Sequence, residues 1–151
     1  MNDVVCQIKP MTPAAVQAVA RLEEEILKHP QTEIETHHAF HAGMYARTIM
    51  IPAGVVLTGA LIKIPTILII SGDVVVYTDD GPIQITGYHV MLGPAGRKQA
   101  FVATADTFLT MVFPTSATTA EEVEAEFTDD YNRLMSRHGD AVNTFTGAGD
   151  L

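Results

Sequence analysis

The sequence predicts a mainly β fold, a jelly-roll barrel carrying one helix before it and one after it. Three observations predict it. Val, Ile, Leu and Thr dominate residues 37 to 115, and turn signals recur there roughly every 8–12 residues, the spacing of a sandwich or barrel. The flanking stretches switch to helical periodicity behind good N-cap residues. At 151 residues, 47% hydrophobic and only 18% charged, the chain suits one domain with a buried core and not a disordered tail.

The elements follow in order. Residues 1–36 read as an N-terminal helical extension. Thr12 is a suitable N-cap, Pro13 suits the first helical position, and Val16, Val19, Ala20, Leu22, Ile26 and Leu27 recur at helical spacing until Pro30 stops the run. Glu23, Glu24 and Glu25 read as a solvated acidic face. Residues 37–115 read as the barrel, with strands near 44–51, 55–64, 66–70, 73–78, 83–86, 88–92, 98–103 and 107–113. About eight short strands are enough for two Greek keys. Residues 116–151 read as a C-terminal helix and a tail. Thr119 and Glu122 have capping-box spacing. Val123, Phe127, Tyr131 and Leu134 form an apolar stripe, Gly139 ends the helix, and "AVNTFTGAGDL" reads as loose.

Charge and cysteine narrow the function. The formal charge is −9 with nine basic residues, which disfavours nucleic acid as a partner. The densest basic group, Arg97-Lys98, reads as the decoration of a turn. One cysteine, Cys6, permits no internal disulfide, and its surroundings give no reason for a reactive thiolate. "MNDVVCQIKPMTPAAV" does not read as a signal peptide, and Lys63, Pro65, Gly72 and Asp73 interrupt the most apolar stretch, so neither a leader nor a membrane span is expected. The expected location is the cytoplasm, or the inside of an assembled virion.

Two segments carry a family likeness. "IPAGVVLTGALIKIPTILIISGDVVVYTDDG" resembles the first conserved motif of the cupin superfamily, with Gly54 as its first glycine and Gly72 as its last. "GYHVMLGPAGRKQAFVA" resembles the second, with Pro94-Ala95-Gly96 as its turn. The likeness covers roughly residues 40 to 114, and the chain as a whole resembles small stand-alone cupin-like proteins of tailed phages and prophages. It implies a double-stranded β-helix, and in the enzymes of that superfamily a divalent metal on two His, a Glu and a later His. The positions corresponding to those ligands here are Ala60, Ile62, Thr66 and Gln99. Alanine and isoleucine offer no lone pair, and neutral Thr and Gln oxygens are weak ligands alone. The expectation is therefore no metal and no other cofactor.

Strand parity adds a second expectation. Ala60, Ile62 and Ile64 share the face that would line a barrel, and Lys63 points out. Such a barrel is either filled by its own side chains or keeps a small apolar pocket. Tyr45 and Arg47 share a strand face with Ile49 and Ile51, so Arg47 either buttresses the barrel through an ion pair or meets a ligand anion. Tyr45, Arg47, Ala60, Ile62, Thr66 and Gln99 are the candidate pocket-lining set. Ile67-Leu68-Ile69-Ile70 is apolar on both faces and calls for a covering layer, from a terminal helix or a second copy.

His37, His38 and His41 precede the first barrel strand and His89 lies on a later one. They read as loop histidines at a barrel mouth or subunit contact; the alternative is a metal on His37, His41 and His89. The leading functional expectation is a non-enzymatic, homo-oligomeric structural or interaction module with itself, or other virion or phage proteins, as partner. The alternatives are a small-molecule binder with an apolar pocket, and a divergent enzyme using the His cluster.

Overall fold

The apolar runs at the centre of the chain become one long hairpin. In the computed structural model, which describes residues 3–147, the nine strands are β1 (Val5–Gln7), β2 (Thr36–His41), β3 (Met44–Ile51), β4 (Val56–Thr58), β5 (Thr66–Thr78), β6 (Gly81–Gly93), β7 (Ala100–Ala103), β8 (Thr107–Pro114) and β9 (Asn143–Gly147). Helices α1 (Pro13–Ile26) and α2 (Ala120–Phe127) flank the barrel, and two short 3-10 turns, Tyr131–Arg133 and Met135–Arg137, follow α2.

The strands run in the order β1-β6-β5-β8-β3-β2-β9, with β7 also on β5 and β4 on β7. β5 and β6 pair along their whole length, from Thr66 opposite Gly93 to Thr78 opposite Gly81. The other edge of β5 changes partner midway. Residues 67–71 pair with β8, whereas Val74, Val75 and Val76 pair with β7. Gly72, opposite Gly87, marks the change. A Cβ on Gly72 would stand 2.5 Å from Thr107 Oγ1 and 2.7 Å from its Cα, so only glycine lets the strand pass there. Leu68, Ile70, Val74 and Val76 keep one parity through the bend, and all four enter the core.

This corrects several expectations. Ser71-Gly72-Asp73 is a bend inside a strand, so 66–70 and 73–78 are one strand, and 83–86 and 88–92 are likewise one. Backbone hydrogen bonding continues because the bend reassigns one edge without interrupting the other. The expected strand 55–64 pairs regularly only at Val56–Thr58; beyond it an isolated bridge joins Ile62 to Arg97. The histidines expected in a loop form β2.

The N-terminal helix begins as read, with Thr12 Oγ1 accepting from the Ala15 N–H at 3.2 Å and Pro13 in the first turn. At the second helix, Thr119 Oγ1 accepts from the Glu122 N–H at 3.3 Å. That helix stops at Phe127 and not at Gly139, because Thr128 is extended and its hydroxyl takes the Asp130 N–H. The tail is also tied down. Asn143–Gly147 add a parallel edge strand to β2, while the final "AGDL" lies outside the described residues. No helix among the described residues is long and apolar enough to cross a membrane.

Candidate functional site

The inward faces of the strands leave a cavity of about 500 Å³. Its wall is mainly apolar, with Ile49 from β3, Leu57 from β4, Ile62, Leu68 from β5, and Leu109 and Met111 from β8. Glu23 and Ile26 of α1 and the following Leu27 border it on one side, and Asp130 and Asn132 to Met135 on another. Ala60 is among the small residues that line it.

Of the candidate pocket set, Arg47, Ala60, Ile62 and Gln99 line this cavity. Three of the four positions aligned with cupin metal ligands are thus brought together at one interior space. The fourth, Thr66, is buried and accepts a hydrogen bond from Arg97 Nη2. Tyr45 is fully buried beside the cavity, and its hydroxyl lies 2.7 Å from His38 Nδ1 and 3.2 Å from Arg47 Nη1. Gln99 is the polar group best placed for a ligand, since its side-chain amide makes no hydrogen bond to the described residues while its carbonyl takes the Gly59 N–H at 2.9 Å.

Arg97 and Lys98 do not decorate a turn. Both are buried, Arg97 at 2% exposure, and both line the cavity. Arg97 Nη1 donates to the Pro94 carbonyl at 2.9 Å, its Nε–H has no acceptor, and no carboxylate among the described residues pairs with it. Its place is made by Gly93, where a Cβ would stand 2.6 Å from the guanidinium carbon. Burial pushes the Arg97 guanidinium down to about 10. The sequence reading missed this because Pro94-Ala95-Gly96 does turn the chain, and the turn throws the next two side chains inward.

Lys98 Nζ donates to Glu23 Oε2 at 2.9 Å and to the Gly59 carbonyl at 2.8 Å. Thr58 also donates to Glu23 Oε2, at 3.0 Å, and Arg133 reaches the other oxygen of Glu23 at 3.3 Å. Glu23 therefore faces the barrel and not solvent. A signal was present: Glu23 falls four residues after Val19 and three before Ile26, in phase with the apolar stripe, whereas Glu24 and Glu25 do not.

A second polar network closes the region beneath the C-terminal segment. Glu124, 2% exposed, accepts from Arg47 Nη1 at 2.9 Å and Arg137 Nε at 2.7 Å, and from the Ser136 hydroxyl. Burial pushes the Glu124 carboxyl up, but the hydrogen bonds from Ser136, Arg137 and Arg47 outweigh it and hold the group below its ordinary value. On the far side Tyr45 joins Arg47 to His38, whose Nε2 donates to Asn143 Oδ1 at 2.8 Å. The pattern closes only if His38 is neutral with its proton on Nε2, so that Nδ1 accepts from the Tyr45 hydroxyl.

The remaining histidines are not brought together. His37 and His41 are on the exposed parity of β2, while His89 is buried in β6, with three strands between them, and lies between the carbonyls of Asp3 and Thr86. The alternative metal set of His37, His41 and His89 is corrected by that separation. No three His, Cys, Asp or Glu side chains among the described residues form a metal-binding group.

No protein-family model and no curated protein matches the chain. Among solved structures it is similar to a cupin superfamily protein of Desulfitobacterium hafniense, at 14% identity and a TM-score of 0.45, over 58% of this chain and 83% of that one. It is similar to a cupin-2 domain containing protein of Shewanella frigidimarina at 11% identity and a TM-score of 0.44, over 66% of this chain and 98% of that one. The cupin-2 domain of an XRE family transcriptional regulator from Enterobacter cloacae gives 11% and 0.39, over 48% of this chain and 83% of that one. At these identities no activity or ligand passes from those proteins to this chain. Its mainly β barrel with a helix on either side stands on its own strand pairing.

Proposed function

We propose that the chain is a small-molecule-binding barrel that takes a largely apolar ligand into its interior. The observation that carries this reading is the cavity of about 500 Å³ walled by Ile49, Leu57, Ile62, Leu68, Leu109 and Met111. Protein interiors are normally filled to crystal-like density, and ligand pockets commonly fall between about 300 and 1,000 Å³. Gln99 supplies an amide free to orient what binds. The reading is of a binder and not a catalyst, because Lys98, Glu23, Arg47 and Glu124 hold one another in ion pairs.

The uncharged dye N-phenylnaphthylamine is expected to brighten on binding and to be displaced by ligands found in a thermal-shift panel. Ile62→Trp, which fills the cavity, is expected to remove at least about 90% of that signal at an unchanged fold, read by circular dichroism. Silence of the dye and the whole panel, or a signal indifferent to Ile62→Trp, would sink the reading.

The second reading is the homo-oligomeric module, and one observation favours it. The outward parity of the large sheet presents Ile67, Ile69, Tyr88, Leu92, Phe108 and Val112 side by side through the pairings of β6, β5 and β8. Tyr88 and Phe108 are more than half exposed. The occupant this face suits is a second copy, since two chains of charge −9 approach with least repulsion through an uncharged patch. Sedimentation velocity tests it. Phage or prophage origin belongs to this reading, and virion genes beside its gene would support it.

A further inference from the structure

The charges around the cavity run against those of the molecule. Of nine basic residues, four line it: Arg47, Arg97, Lys98 and Arg133. Among the described acidic residues, only Glu23 and Asp130 do. A protein of formal charge −9 has therefore gathered an excess of cations at one largely apolar interior. Three of the four have a carboxylate nearby: Arg47 has Glu124 at 2.9 Å, Lys98 has Glu23 at 2.9 Å and Arg133 has Glu23 at 3.3 Å. Arg97 has none among the described residues, yet it is the most deeply buried of them.

A buried cation without a counter-ion is costly, and proteins keep one where something else supplies the charge. Gly93 gives up its side chain to seat this guanidinium, so the arrangement is built into the backbone and not an accident of one rotamer. Resting on the pocket reading above, we propose that the ligand is an amphipathic monocarboxylate, its apolar body against the Ile, Leu and Met wall and its carboxylate answering Arg97. Arg97 spends two of its five N–H groups, on the Pro94 carbonyl and the Thr66 hydroxyl, and the Gln99 side-chain amide makes no hydrogen bond to the described residues, which leaves donors for the two oxygens of a carboxylate. A phosphate dianion would bring a second negative charge that one unpaired guanidinium does not balance. The neighbouring ion pairs hold Arg47 and Lys98 in place, so the net positive field of the site survives without their side chains moving.

The test compares acids with their neutral isosteres: octanoate with octanamide, and phenylbutyrate with its amide, each titrated by displacement of the neutral dye and by calorimetry. The acids are expected to bind at least tenfold more tightly, with an advantage that shrinks as salt rises. Arg97→Met is expected to unfold no earlier than the wild type without ligand, because it removes an uncompensated buried charge, and to abolish the preference for acids. Should that variant misfold, Gln99→Leu, which leaves Arg97 in place, is expected to cut the acid preference at least threefold. Amides binding within tenfold of the acids would overturn the proposal and leave the pocket reading standing. Failure of acids and amides alike, with the dye also silent, would remove both. An unchanged preference in Arg97→Met would overturn the role of Arg97, and tighter binding of octyl phosphate than octanoate would overturn the carboxylate assignment.

Discussion

Glu124 shows how one buried side chain can tie three elements together. It sits in "AEEVEAEF", where three other glutamates are solvated, yet it alone lies beneath the C-terminal turns. Its two oxygens collect Arg47, Ser136 and Arg137, joining β3 to both α2 and the second 3-10 turn. Arg47 also stacks its guanidinium 5.3 Å over the Phe127 ring, so the ion pair and the apolar contact share one geometry. Removing one member of a buried pair leaves the other charged and unpaired, at about 3–5 kcal/mol. Glu124→Gln is accordingly expected to lower unfolding stability by about that amount in urea. The ordinary carboxyl value is 4.5 and the folded value lies below it, so this contribution is present above 4.5 and is lost as pH falls through the folded value.

At the scale of elements, β9 depends on a histidine. His38 projects inward from β2, stacks on Phe145 of β9 with ring centroids 4.7 Å apart, and donates to Asn143. Burial lowers its pKa from the ordinary 6.5. Between the folded value and 6.5 the unfolded chain binds more protons at this site than the folded chain. Stability from His38 is therefore full above 6.5 and declines as pH falls below it. A proton on Nδ1 would also turn an acceptor of the Tyr45 hydroxyl into a competing donor. We expect protection factors across Asn143–Gly147, taken relative to the intrinsic exchange rate at each pH, to fall at least threefold between neutral pH and the lower end of that window. In His38→Gln that pH sensitivity should be absent; equal slopes in both proteins would refute the assignment. The tail read as loose from composition because Gly and Thr carry no apolar signal. What orders it is pairing with β2, a contact about a hundred residues distant that local pattern does not contain.

At the scale of the molecule, the two sides of the large sheet differ in what they leave unsatisfied. The inner side keeps a cavity, and the outer side keeps an uncharged apolar patch centred on β5. The covering layer that Ile67-Leu68-Ile69-Ile70 called for is not supplied by either terminal helix, since α1 lies against β4 and α2 against the C-terminal network. Ile67 and Phe108 remain exposed at 39% and 53%. If a second copy covers them, Phe108→Lys is expected to convert a concentration-dependent dimer into a monomer with little change in folding stability. A strictly monomeric wild type at high concentration would exclude that occupant.

The residues by themselves determined the β character of the middle zone, both helix starts and the inward parity of Arg47. These rest on local rules: periodicity, capping and the alternation of a strand. The motif likeness also brought Ala60, Ile62 and Gln99 to one place, because its turns and spacings are legible in order along the chain. Tertiary structure alone decided that 66–78 is one bent strand, that Glu23 and Glu124 turn inward, and that Arg97 is buried without a counter-ion. Each depends on what approaches from a distant part of the chain, such as Thr107 against Gly72 or Gly93 against Arg97. Burial and pairing of a charge are properties of such encounters. A residue's neighbours in sequence carry no record of them.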